Sequence, residues 1–219
     1  MGINASVFFD VAHALSALTL LVAGIIGLAR FGQLTLGMRY LVGLIWFGLA
    51  IELVATILAK CYHTPNLFLF PIDAAGEFLL LSLMYRGALQ SPGFSRVQPW
   101  LAGGVIFYAV VSSVLLPDAS HFKPGLHVVE NLLLLLLVGL YFRKLLNELR
   151  VQQLARDPMV WVSAGLLFYC LGKLLIVLFS NYMQHYSKQL NLTVWAVHAL
   201  LTLVLYGCYC RALWLRPQS

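Results

Sequence analysis

The sequence predicts an all-α fold: an integral membrane bundle of seven transmembrane helices. Three observations lead there. Of the 219 residues, 61% are hydrophobic and only 10% are charged, against about 25% charged in soluble domains. Apolar runs of about 20 residues, long enough to cross a hydrocarbon core, recur along the whole length. The charges gather between those runs, except for a small set of carboxylates, histidines and one lysine inside them. These features predict one transmembrane domain over 1–219 and argue against a globular domain with a large core. The net charge of +6 is no nucleic-acid signal, because the basic residues mark the loops.

The spans fall at about 6–29, 39–59, 66–86, 98–116, 124–144, 158–181 and 191–212. The N-terminus lacks a basic n-region and its apolar run continues to Arg30, so the first span reads as retained rather than cleaved. Gly32 and Gly37 flank the first turn, Ser91-Pro92-Gly93 follows the third span, Pro117-Asp118 ends the fourth and Lys123-Pro124-Gly125 opens the fifth. Asp157-Pro158 is a strong start for the sixth helix, with Asp as N-cap and Pro at the first helical position. Arg30, Arg39, Arg86, Arg96, Arg143, Lys144, Arg150, Arg156, Arg211 and Arg216 all fall on one side of the seven spans. Only Lys60, Lys123 and Lys188 fall on the other. The positive-inside rule then places the N-terminus outside and the C-terminus in the cytoplasm. Trp100, Trp161 and Trp214 sit at the inner boundaries this orientation implies.

Five of the eight acids lie within spans: Asp10, Glu52, Asp73, Glu77 and Glu130. An ionised side chain at mid-membrane costs roughly 2.5–3.5 kcal/mol on insertion scales, so such groups face the protein interior. At about 1.5 Å per residue, His13, Glu52, Asp73, Glu77, Glu130, Lys173 and His198 lie roughly 10 Å below the outer surface. Six helices thus contribute to one layer, and the fourth, contributing none, reads as peripheral. Asp73 and Glu77 share a helix face, as do His127 with Glu130 and Asp10 with His13. Such paired spacing is what helix-bundle metal sites use. Asp10 and His127 lie close enough to the outer end to be read either as members of the layer or as solvated groups. Pro71 and Ala74-Ala75-Gly76 predict a kink and a cavity beside the third-span acids. Against five acids the layer offers Lys173 alone as a fixed cation, a balance of about −4 that a low dielectric does not tolerate. Either several acids are protonated or a cation is bound. Lys173 reads as a counter-ion to one of the acids.

Other signatures are absent. A microbial rhodopsin carries its retinal lysine in the last span, where this chain has His198, so no retinal is expected. The HxxxH of ceramidase-type membrane hydrolases is missing from that span, and neither GxSxG nor HExxH occurs. Four cysteines predict no structural disulfide, since Cys61 has no loop partner and Cys208 and Cys210 diverge on a helix. Asn4-Ala5-Ser6 and Asn191-Leu192-Thr193 match the glycosylation pattern by chance. Glu77-Phe-Leu-Leu-Leu, Glu130-Asn-Leu-Leu-Leu and His198-Ala-Leu-Leu, each followed by an inner Tyr and Arg, form a faint internal repeat.

Four segments carry a resemblance across the chain: Ile51-Glu52-Leu53, Asn66-Leu67-Phe68-Leu69-Phe70 leading to Glu77-Phe78-Leu79, Asp157-Pro158-Met159-Val160-Trp161, and Val194-Trp195-Ala196-Val197-His198. They resemble a family of small bacterial (Bacteroidetes-type) seven-transmembrane-helix proteins with no assigned activity. The resemblance implies a bacterial inner membrane protein and draws attention to Glu52, Glu77, Glu130 and His198. Pro71 and Asp73 depart from the family's pattern before that glutamate.

The resulting expectation is a receptor or sensor that binds a small ligand or cation from outside through Glu52, Asp73, Glu77, Glu130, Lys173 and His198. The Arg143–Arg156 loop would reach a cytoplasmic partner. One alternative is a metal-dependent intramembrane enzyme acting on a lipid, with zinc or iron held by Glu52, Glu77, Glu130, His198 and His13. Another is a transporter of protons or a small solute. No catalytic residue is assigned.

Overall fold

The computed structural model describes residues 5–62, 68–114, 124–148, 154–183 and 188–215. Expectations resting on Asn4, Asn66, Leu67, Pro117, Asp118, Lys123, Arg150 and Arg216 lie outside the described residues. So do those resting on the side chains of Ser6, Asp10, Lys188, Asn191, Thr193 and Trp195. The described structure is all-α. Its helices are α1 (Ala5–Ala29), α2 (Leu36–Cys61), α3 (Leu69–Leu89), α4 (Pro92–Val114), α5 (Pro124–Asn147), α6 (Pro158–Met183) and α7 (Lys188–Trp214), with a 3-10 turn at Phe31–Gln33. Each apolar run of the sequence corresponds to one helix. Among the described residues, five segments are long and apolar enough to cross a membrane: Val11–Ala29, Leu36–Cys61, Gly125–Asn147, Pro158–Ile176 and Ala196–Trp214. This marks an integral membrane protein.

The helix ends follow from local chemistry. Asp157 caps α6, its Oδ1 accepting the Met159 N–H at 2.9 Å, and Pro158 takes the first helical position, where it has no hydrogen bond to lose. Gln90 closes α3 in the left-handed conformation (φ 49°), its N–H donating to the Arg86 carbonyl at 3.3 Å. Two prolines act differently from expectation. The Ser91-Pro92-Gly93 break is so short that α4 begins at Pro92, ahead of the predicted 98, and Pro99 lies inside it. Pro71 sits in the first turn of α3, so it removes no intrahelical bond, and α3 is continuous from Leu69 to Leu89.

The helices group into two compact units, residues 34–144 and residues 1–33 with 145–219. In the first, the central unit, α3 packs against both α2 and α4. Helix α5 meets α3 through the Tyr85–Tyr141 ring pair and through Lys144, whose Nζ donates to the Ala88 carbonyl at 2.8 Å. Gln98 of α4 is buried and donates through Nε2 to Ser82 Oγ of α3 at 3.0 Å. The fourth helix therefore contributes a buried polar contact of its own. Its opposite face is open, with Trp100 82% and Phe107 70% exposed.

In the second, the terminal unit, α7 packs against both α1 and α6. Gly165 and Gly172, two turns apart on α6, admit α7. A Cβ on Gly165 would stand 2.9 Å from Cys208 Cβ, and one on Gly172 would meet Leu201. Arg30 at the end of α1 donates to the Leu213 carbonyl at 2.9 Å and also to that of Trp214, satisfying carbonyls that the end of α7 leaves free. Arg211 of α7 lies 5.7 Å over the Trp161 ring of α6. The end of α1, the start of α6 and the end of α7 thus meet at one end of this unit.

Candidate functional site

Helix α5 buries one stripe, and that stripe changes character along its length. Leu126, His127, Glu130, Asn131, Leu134, Leu137, Val138 and Tyr141 are buried, at the three-and-four spacing of one helix face. Val129, Leu132 and Leu136 on the other face are exposed. The exposed face is apolar, as a bilayer-facing surface is, and His127, Glu130 and Asn131 are kept to the buried stripe. From Leu134 onward the stripe is an ordinary packed core. In its first two turns it is polar: His127 is 6%, Glu130 0% and Asn131 0% exposed.

Two hydrogen bonds link these three residues, one between side chains and one to the backbone. His127 Nδ1 lies 3.2 Å from Glu130 Oε2. Asn131 Nδ2 donates to the His127 carbonyl at 2.6 Å. This contact fixes the amide's orientation, because only the NH2 end can donate to a carbonyl. Phe70 of α3 meets the His127 ring edge to face, with centroids 5.9 Å apart. A carboxylate buried this completely is tolerable only with a proton or a cation beside it. The His127 imidazole supplies that partner whichever of the two groups holds the proton. Gly125, two residues before His127, leaves room for the Tyr108 hydroxyl of α4, which would stand 2.9 Å from a Cβ there.

The remaining sequence candidates divide between the units. In the central unit, Glu52 on α2 and Asp73 and Glu77 on α3 are half-buried. Asp73 and Glu77 flank the buried Ala74 and Phe78 of α3. The small-residue notch beside them is occupied: the Phe47 ring of α2 packs into the space that a side chain on Gly76 would need. The expected close approach is present, and an aromatic ring fills it.

In the terminal unit, Lys173 of α6 holds its Nζ 5.4 Å over the Tyr169 ring, and Tyr169 meets the His198 ring of α7 at 5.6 Å. Thr202 donates to the His198 carbonyl at 2.9 Å. This is a second polar group, with two basic side chains around one aromatic ring. His13 of α1 is exposed. Among the described residues, no three His, Cys, Asp or Glu side chains come together in a group that could hold a metal ion.

Asn131 of the α5 group was not among the residues picked out from the sequence, and His127 was picked out only as Glu130's neighbour on one helix face. His127 was open to a solvated reading because it lies one turn into its helix, but Phe70 covers it. Its spacing of three from Glu130 was the available signal. Asn131 carried a similar one, four residues from His127 and next to Glu130 in an otherwise leucine-rich run. No family model matches the chain, and neither a curated protein nor a solved structure matches it. The fold and the site thus define a class, an all-α integral membrane protein with a buried carboxylate–imidazole–amide group.

Proposed function

We propose that this is a seven-helix membrane receptor or sensor that binds a small polar or cationic solute at the His127–Glu130–Asn131 group. On this reading its N-terminus is outside and its C-terminus cytoplasmic, as the positive-inside rule predicts, and its membrane is a bacterial inner membrane. The observation that carries the reading is the 3.2 Å His127–Glu130 pair, buried within a helix apolar enough to span the bilayer. Stability alone does not favour such a pair, since well-packed apolar residues usually serve as well or better. Binding a polar solute does favour it. Helix ends support the orientation. Arg30 joins the end of α1 to the end of α7, and Lys144 joins the end of α5 to the end of α3, so the helices expected to finish on the cytoplasmic side do finish together within each unit. On this reading the Arg143–Arg156 loop carries the response to a cytoplasmic partner.

Thiol labelling with a membrane-impermeant methanethiosulfonate in intact cells tests this. Cys61, exposed at the end of α2, labels from outside if the topology is correct. In a Cys61→Ser background, Asn131→Cys labels from outside and Leu134→Cys, one turn deeper, does not. Protection of position 131 together with 134 overturns the reading and leaves the polar group as a sealed structural pair.

A further inference from the structure

We infer that the end of the terminal unit where α1 and α7 finish and α6 begins is a docking surface for the headgroup of an anionic phospholipid. The inference does not depend on the α5 group. It starts from three arginines whose segments the fold ties together. Arg30 donates through Nη1 to the carbonyls of Leu213 and Trp214, which holds it on the last turn of α7. Arg211 belongs to that same turn and lies 5.7 Å over the Trp161 ring of α6. Trp161 donates through Nε1 to the Ala155 carbonyl at 3.0 Å, which fixes the backbone beside Arg156. One run of contacts therefore joins the segments that carry all three guanidinium groups.

Those contacts position the arginines without neutralising them. Backbone carbonyls and an indole ring carry no net charge, and among the described residues no carboxylate pairs with Arg30, Arg156 or Arg211. Arg30 commits only Nη1, so the N–H groups of Nε and Nη2 are left for a further acceptor. A guanidinium set against an aromatic ring, as Arg211 is, keeps its donors at its edge. Arg156 and Arg211 are exposed, and Arg30 is partly so. Asp157, next to Arg156, has its Oδ1 on the Met159 N–H. Residues 30–33, 145–157 and 211–219, which flank the three helix ends, carry five arginines (Arg30, Arg150, Arg156, Arg211 and Arg216) against two acids, Glu148 and Asp157.

Depth and surroundings identify the partner. The apolar spans end at Ala29 and Trp214 and begin at Pro158. Arg30 follows its span directly, Arg156 stands two residues before its own, and Arg211 lies about 4.5 Å inside the end of α7 at the helical rise. That is the headgroup level of a bilayer, where tryptophans such as Trp161 and Trp214 anchor. Leu28, Phe31 and Trp214 are exposed in the same segments. An acidic protein segment would answer the charge and leave this apolar surface uncovered. A phospholipid answers both, with its phosphate on the guanidinium forks and its acyl chains on the apolar side chains. A zwitterionic headgroup would bring a cation of its own into the cluster, and an anionic one does not.

Electron paramagnetic resonance of spin-labelled lipids tests this, with the full chain reconstituted in phosphatidylcholine vesicles. Trace spin-labelled phosphatidylglycerol should be retained at the protein surface over spin-labelled phosphatidylcholine by about fivefold or more, the factor expected of a single surface arginine. Arg156→Gln combined with Arg211→Gln should bring that ratio below about twofold. Arg86→Gln combined with Arg96→Gln removes the same charge from exposed positions of the central unit and should leave most of the preference in place. Equal retention of the two lipids by the native chain, which requires no variant to fold, overturns the inference. A preference lost to the same extent in both paired variants overturns the location. Fluorescent hexaglutamate that binds the native chain and not the Arg156→Gln, Arg211→Gln variant, with no preference for phosphatidylglycerol, assigns an acidic protein segment to this surface and overturns the lipid.

Discussion

The two units each hold buried or half-buried ionisable groups, and they hold them by different physics. In the central unit, α5 carries an acid, a base and an amide on one face, joined by hydrogen bonds within a single helix. In the terminal unit, Lys173 and His198 come from different helices and meet around the Tyr169 ring. The first arrangement brings an acid and a base to short range where water is excluded, so removing one member takes a close partner from the other. The second sets one ammonium and one imidazole against an aromatic ring and relies on softer contacts, worth about 0.5–2 kcal/mol each. A group that is costly to break and gives little stability in return suits recognition; one that is cheap to break suits packing.

That contrast can be broken or sharpened by equilibrium unfolding of variants in nanodiscs. The largest effect belongs to His127→Ala, which leaves Glu130 buried without its imidazole and should cost about 3–5 kcal/mol. His198→Ala should cost far less; equal losses would erase the distinction between the units. Next comes the α6–α7 seam. Gly165→Ala should cost about 1–3 kcal/mol, because the new methyl meets Cys208 Cβ, which is tied to the backbone. Gly172→Ala should be milder, since the Leu201 methyl it meets can rotate away. Loss of the α6 cap in Asp157→Ala should cost about 1 kcal/mol. The smallest change is expected for Lys173→Met, within about 1 kcal/mol, because the aliphatic stem keeps its packing on Tyr169.

The helices were legible in the sequence because hydrophobic run length is a strong signal and a membrane permits few alternatives. The Asp157-Pro158 start was equally plain, since cap chemistry is local. Proline was less so: whether Pro71 kinks a helix depends on where the helix begins, and α3 begins only two residues before it. The site was half legible. Glu130 stands out as a charge in an apolar run, whereas His127 depends on Phe70, a residue distant in sequence that covers it. Asn131 is invisible by charge, and its importance lies in an orientation that only coordinates give. The notch at Gly76 was readable as close approach, but that Phe47 would fill it was not, because the filling residue lies on another helix.

The central claim is that the polar end of α5 serves binding at the expense of stability. The direct test is the Tm of a variant in which the leucine stripe is extended upward, His127→Leu with Glu130→Leu and Asn131→Leu, compared with the native chain in the same nanodiscs. The account predicts a variant at least as stable as the native protein, in line with replacement of buried ion pairs by apolar side chains. A Tm several degrees below the native value would show that the group holds the fold together, and would contradict the account.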